Sequence, residues 1–257
     1  MKYTLLYILS LCLLVAGCNR DVSEVPEGTG SGNWLPVLTR AAEGTKATIA
    51  GFSSENSQTS AFSHDVVCIN KENNIWNWVD DDFTSPSLKE ITLLTASIPP
   101  IDMSSATYTL YQSSLSDYSN GLQLGSAPAE KKAVDVHHCL ARLKLDCEEG
   151  YTLNNTIDLY LTPTAEVDFR KATIESVDYK STYSQSLTNS RSVVLNILPQ
   201  TFKKDTPLFQ YKAGNTQYTY HLERDLEVGT NQCLKVRISQ GEEDEEPIPG
   251  GGDDDKP

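Results

Sequence analysis

Basic clusters are missing from this chain. Acidic residues number 35 against 21 Lys and Arg, the formal net charge is −14, and no run of Lys or Arg exceeds two. A polyanion needs a focused positive surface, so this balance argues against a nucleic-acid partner and against a purely electrostatic hold on an anionic membrane. Histidine is scarce, at four, and two of those, His137 and His138, are adjacent. On a strand adjacent side chains point to opposite faces and cannot share one ion. No cysteine pair or quartet has zinc-site spacing, and there is no nucleophile elbow, Walker loop or His-Glu-x-x-His. Gly28, Gly30 and Gly32 lack the strand and helix that a phosphate loop requires. No metal, cofactor or catalytic residue is expected, and the chain reads as a non-enzyme. No apolar run reaches the ~20 residues that span a bilayer as a helix, and no segment carries a convincing helical period.

The N-terminus is organised around Leu14-Val15-Ala16-Gly17-Cys18. Lys2 gives a charged start, Tyr3 to Ala16 is almost wholly apolar, and small residues lead to the cysteine, which is the layout of a secretory signal over residues 1–17. A Leu, a small residue, Gly and Cys form a lipobox. The small residues fit an extended peptidase cleft, and the Cys18 sulfur is the nucleophile that takes a diacylglyceryl group. Two or more acyl chains anchor stably, at ~0.8 kcal/mol per buried methylene. The expected location is the outer membrane, lipid-anchored through Cys18. Residues 18–33, with Pro26 and Gly-Thr-Gly-Ser-Gly, cannot bury a core and read as a flexible stalk.

Beyond Trp34 the chain becomes short runs rich in Val, Ile, Leu, Thr and Tyr, each closed by Gly, Pro, Asn, Asp or Ser, the pattern of antiparallel strands. Strands are expected at 45–51, 64–70, 90–98, 106–112, 134–147, 156–161, 173–179, 192–198, 207–212, 217–222 and 233–238. Asn154-Asn155 and Gly214-Asn215 mark turns. Within 134–147 the apolar parity flips: Val134, Val136 and Leu140 share one face, Ala141, Leu143 and Leu145 the other, so a β-bulge or sharp twist is expected near Leu140-Ala141. Residues 120–132, with Gly121, Gly125 and Pro128, lack alternation and are read as a boundary between domains over 34–125 and 130–240. After Gln240 the chain is low in complexity. Residues 242–256 hold eight acids and one lysine, and 241–257 are expected to be a solvated, disordered tail.

Few residues stand out as candidate sites. Four cysteines remain once Cys12 leaves with the signal and Cys18 takes lipid. Export permits disulfides, so either Cys139 and Cys233 bridge on neighbouring strands or the thiols are buried as small hydrophobes. Trp76 and Trp78 share a face if extended and offer a stacking platform for a glycan, or pack into a core. The acids Asp80-Asp81-Asp82 are read as a solvated turn.

In their order along the chain, several motifs resemble the fimbrillin-type lipoproteins, the subunits of type V pili. These are Leu38-Thr39-Arg40-Ala41 after the stalk, Trp76 and Trp78, and Ile98-Pro99-Pro100. In the second half they are Val136-His137-His138-Cys139-Leu140-Ala141-Arg142-Leu143, Ile197-Leu198-Pro199-Gln200-Thr201, and residues 228–236. The resemblance implies an all-β fold of two tandem β-sandwich domains, transthyretin-like or Ig-like, exported to the cell outer membrane and exposed there or in a fimbrium. It implies cleavage after an arginine in the first strand, here Arg40 before Ala41. Other fimbrial subunits would then be partners by β-strand addition. The acidic tail is a poor donor strand, which points to an accessory subunit, an anchor or a tip, with adhesion as the outcome. The alternative is an outer-membrane surface lipoprotein that binds a glycan or host ligand.

Overall fold

A computed structural model describes residues 34–39, 42–80, 82–147, 156–186, 191–213 and 216–238. Lipidation at Cys18, the Arg40–Ala41 processing site, Asp81, both expected turns and the tail lie outside the described residues. The first nine strands are β1 (Val37–Leu38), β2 (Lys46–Phe52), β3 (Phe62–Asn70), β4 (Ile75–Trp78), β5 (Leu93–Ile98), β6 (Thr107–Tyr111), β7 (Gln123–Pro128), β8 (Ala133–Val134) and β9 (His137–His138). Then come β10 (Ala141–Cys147), β11 (Thr156–Leu161), β12 (Thr164–Asp168), β13 (Thr173–Ser176), β14 (Ser181–Ser186), β15 (Ser192–Ile197), β16 (Gln200–Phe202), β17 (Pro207–Ala213), β18 (Thr216–His221), β19 (Leu226–Val228) and β20 (Cys233–Ile238). Helix is confined, among the described residues, to short 3₁₀ turns such as Gln112–Tyr118. The molecule is an all-β sandwich.

Six strands form one antiparallel sheet in the order β4-β3-β2-β5-β7-β9. Leu38, Ile49, Val66, Trp76, Leu94 and Val134 share the core on one of its faces. A second core joins Phe52, Met103, Leu110 and Leu124 to Cys139, Leu140, Val167 and Phe169. The β13-β12-β6 sheet supplies much of it, with Leu110 opposite Ala165 where β6 meets β12. The third core, built from residues beyond Leu140, lies between β14-β11-β17-β18 and β15-β10-β20. It includes Leu143, Leu145, Ile157, Leu159, Phe209 and Val236. The inward positions of β11 alternate with Thr156, Asp158 and Tyr160, the period-two pattern of a half-buried strand.

The parity flip near Leu140 has a larger cause than a bulge. The stretch expected as one strand divides at Cys139 and Leu140: β9 ends in the six-stranded sheet on β7, and β10 begins in the three-stranded sheet between β15 and β20. Both linking residues are buried, at 5% and 4% exposure. The flip marks the point where the chain changes sheets. Residues 120–132 contain β7, paired in full with β5 from Leu93–Pro128 to Ile98–Gln123.

Candidate functional site

The first strand and the two tryptophans meet at one place. Val37 and Leu38 of β1 pair in parallel with Ala133 and Val134 of β8, and Leu38 is fully buried. The Leu38 carbonyl accepts from Trp76 Nε1 at 3.2 Å. Thr39, the last described residue before Arg40, donates its hydroxyl to Asp135. The segment that leads to the candidate processing site is therefore seated in the core of the six-stranded sheet.

The stacking platform is not formed as expected. Trp76 and Trp78 do share a face of β4, but that face is the core face. Trp76 is 1% exposed, so no ring of it is offered to a ligand. Trp78 is half-buried in an aromatic corner, with its ring 5.6 Å from that of Trp34 and 4.7 Å from that of Phe83, near edge-on to Trp34. His64 stacks flat on Phe83, at 3.9 Å and 7°. Trp34 Nε1 donates to the Pro86 carbonyl at 3.0 Å. Sequence reasoning missed Trp34, Phe62, His64 and Phe83 as partners; the parity of Phe62 and His64 on β3 was the available signal.

The Cys139–Cys233 bridge is also replaced. Cys139 keeps a free thiol, whose Sγ donates to the Leu122 carbonyl at 2.9 Å. Burial pushes that thiol up to about 12, so it behaves as an inert small hydrophobe. Cys233 sits opposite Arg142, in another sheet from the turn that holds Cys139. His137 and His138 point apart, and His137 Nε2 lies 3.2 Å from Asp135 Oδ2 on the surface.

Two polar features were not anticipated. A cleft of about 520 Å³ lies where Pro100–Asp102 meets β2 and β3, lined by Thr48, Asp65, Asp80 and Asp102 among others. Thr48 donates to Asp65 at 2.6 Å, and Asp102 lies below its ordinary value because the Ser104 backbone and side chain donate to it. The second is Lys180, whose Nζ donates to Thr162 Oγ1 at 2.9 Å and to Gln200 Oε1 at 2.8 Å and lies 5.0 Å from the Phe202 ring centre. Burial lowers it to about 8, against the opposing charge of Asp178.

This architecture has solved counterparts. The chain is similar in fold to a candidate cell adhesion protein of Bacteroides ovatus, with a TM-score of 0.54 and 9% identity over 79% of this chain and 84% of that chain. A candidate cell adhesion protein of Bacteroides uniformis gives 0.52 and 6%, over 80% of this chain and 92% of that chain. One from Bacteroides thetaiotaomicron is 16% identical over 82% and 87% of the two chains, with a TM-score of 0.48. Other similar structures include a candidate adhesin, candidate polysaccharide-binding proteins and a fimbrial assembly protein. The two structures with TM-scores above 0.5 show a fold shared with this chain. No family model matches the chain, and no curated protein matches it. Among the described residues no helix is long and apolar enough to cross a membrane.

Proposed function

We propose that this chain is a surface-anchored, fimbrillin-like structural lipoprotein, an accessory component of a type V fimbria that acts as anchor or tip and contributes to adhesion. The observation that carries the reading is the fold shared with two candidate cell adhesion proteins, at TM-scores of 0.54 and 0.52 over most of each chain. In this reading two sandwiches, over 34–125 and 130–240, hang from the outer membrane by lipid on Cys18. The seat of β1 supports a role for Arg40. Cleavage there belongs to the tip role and not to a lipid-held anchor, since it would part the sandwiches from Cys18; it would withdraw fully buried Leu38 from Trp76 and Val134 and leave the backbone of β8 open to a strand from another subunit. Burial of Trp76 weighs against a glycan platform on β4.

The test is to shear cells that carry the chain and run the released material on an SDS gel without boiling, probing for this protein. Strand-exchanged pili resist unheated detergent, so it should appear within a high-mass ladder or smear. Retention with the membranes as a monomer, together with glycan binding by the purified chain, would replace this reading with that of a glycan-binding surface lipoprotein.

A further inference from the structure

The chain from Ala133 to Cys147 runs through the molecule as a buried spine. It begins in β8, passes through β9, changes sheets at Cys139 and Leu140, and ends in β10. Val134, Val136, Leu140, Leu143 and Leu145 are all buried along it. The first and last strands of the described residues lie at its two ends, β1 beside β8 and β20 beside β10. Both run parallel to it, whereas every other ladder among the described residues is antiparallel.

That direction decides how each end meets tension. A pull that draws the N-terminal side of β1 back and the C-terminal side of β20 forward slides each strand along its neighbour instead of lifting it off. The bonds of a parallel ladder are evenly spaced, so in sliding they share the load and fail together, while in lifting they fail one at a time. Resistance to sliding therefore grows with the length of the ladder, and the two ladders are unequal. β1 pairs only Val37 with Ala133 and Leu38 with Val134. Its further ties are buried Leu38, whose carbonyl accepts from Trp76, and the Thr39 hydroxyl on Asp135. β20 pairs six residues in unbroken register, from Cys233 beside Arg142 to Ile238 beside Cys147, and buries Leu234, Val236 and Ile238. Its neighbour β10 is braced on the other edge by β15, from Ala141–Ile197 to Asp146–Ser192. Cys147 lies roughly 20 Å beyond Ala141 in an extended strand, so the Ile238 end of β20 is the end remote from the six-stranded sheet.

We propose that the two parallel terminal strands form a graded mechanical device, in which tension along the chain is held at β20 and released at β1. Release of β1 frees the chain up to β2, which is gripped between β3 and β5 and buried at every residue after Lys46. It takes Leu38 from its seat and opens the backbone of β8 while the rest of the fold stays closed. In a lipid-held anchor, tension on the tether thus supplies the opening that cleavage supplies at a tip. That use rests on the anchor reading of the proposed function; the order of release does not.

The test is to stretch single chains from Cys18 to Pro257 in optical tweezers, with a peptide-tag handle at each end. Because forced unfolding reads the barrier to each step, a short reversible step freeing the chain up to Lys46 should come first, and residues 141–238 should let go at a force at least about twofold higher. Moving the second handle from Pro257 to the Gly229–Gln232 turn takes β20 out of the line of tension. The short step should persist, and the C-terminal unit should yield at about half its former force or less. Leu38→Ala should weaken the short step alone, and Val236→Ala the long one alone. The wild-type order and the moved handle need no core substitution, so a variant that fails to fold leaves the test intact. A C-terminal unit that yields at or before the short step, the lack of a separate short step, or equal forces with the handle in either place would overturn the proposal. None of these results bears on whether the chain occurs in sheared fimbriae, which the unheated gel decides.

Discussion

Trp76 and Trp78 sit two positions apart, and the period of a strand sends both rings to one side, as the sequence predicts. Which side was not legible, because it depends on where β1 lies, and Leu38 comes from more than thirty residues upstream. Trp76→Ala should therefore cost about 3–5 kcal/mol of stability in chemical denaturation, the range for large aromatic cavities. Trp78→Ala, at a half-buried site, should cost clearly less. Equal losses would mean that the two rings share the core alike. Lys180 was invisible in the sequence for a related reason: its partners come from two distant segments, Thr162 just after β11 and Gln200 with Phe202 on β16. Burial lowers it from 10.5 to about 8. Between those values the unfolded chain binds the more protons, so stability rises with pH across the window and the penalty is full below it. Gln200 Oε1 still accepts from the Thr162 amide at 2.9 Å when the ammonium is removed. The stability of the native chain relative to Lys180→Met should hence climb from pH 8 to 10.5, measured by urea midpoints on both proteins so that tyrosine titration cancels. A flat difference would show that the ammonium is solvated.

Strands that are half buried were the legible ones. Thr156–Leu161 and Cys233–Ile238 match expectation at both ends, since each alternates cleanly against the third core. β7 was missed for a physical reason. It lies between β5 and β9 and carries the small residues Gly125, Ser126 and Ala127, and so shows neither alternation nor bulk. Gly125 reads as a breaker in sequence, yet in the sheet it is a close-approach residue. A Cβ there would fall 2.3 Å from the Asp135 carbonyl oxygen and 2.7 Å from Val134 Cγ1. Because backbone cannot yield as a flexible side chain does, Gly125→Ala should destabilise by about 1–3 kcal/mol or more. Gly229→Ala, whose nearest contacts are at 3.7 Å, serves as the neutral control. Thermal denaturation of the pair checks this, and similar midpoints would mean that β8 moves away without cost. The parity flip at Leu140 was legible as an event but not as a change of sheet, since local pattern carries no information about which partners follow.

Net charge read from composition conceals how charge is arranged. The −14 of the whole chain is half contributed by residues 242–256, while Arg142, Lys144, Lys235 and Arg237 converge only once β10 and β20 align in parallel. This distribution bears on assembly. An acidic, Gly- and Pro-rich segment gains little in an apolar groove, because its carboxylates would lose water without partners. Acidity and lack of apolar alternation are separable causes. Replacing 241–257 with a strand of alternating apolar residues should convert the chain, after cleavage at Arg40, into high-mass species that survive unheated SDS. Changing the tail acids to Gln and Asn should leave its size unchanged, since neutrality alone supplies no side chains for the positions that Leu38 leaves behind. Assembly of the neutral variant would mean that repulsion among tails, rather than poor packing, limits polymerisation. Failure of the apolar variant would mean that this chain offers no groove, and would remove it from strand-exchanged fimbriae altogether.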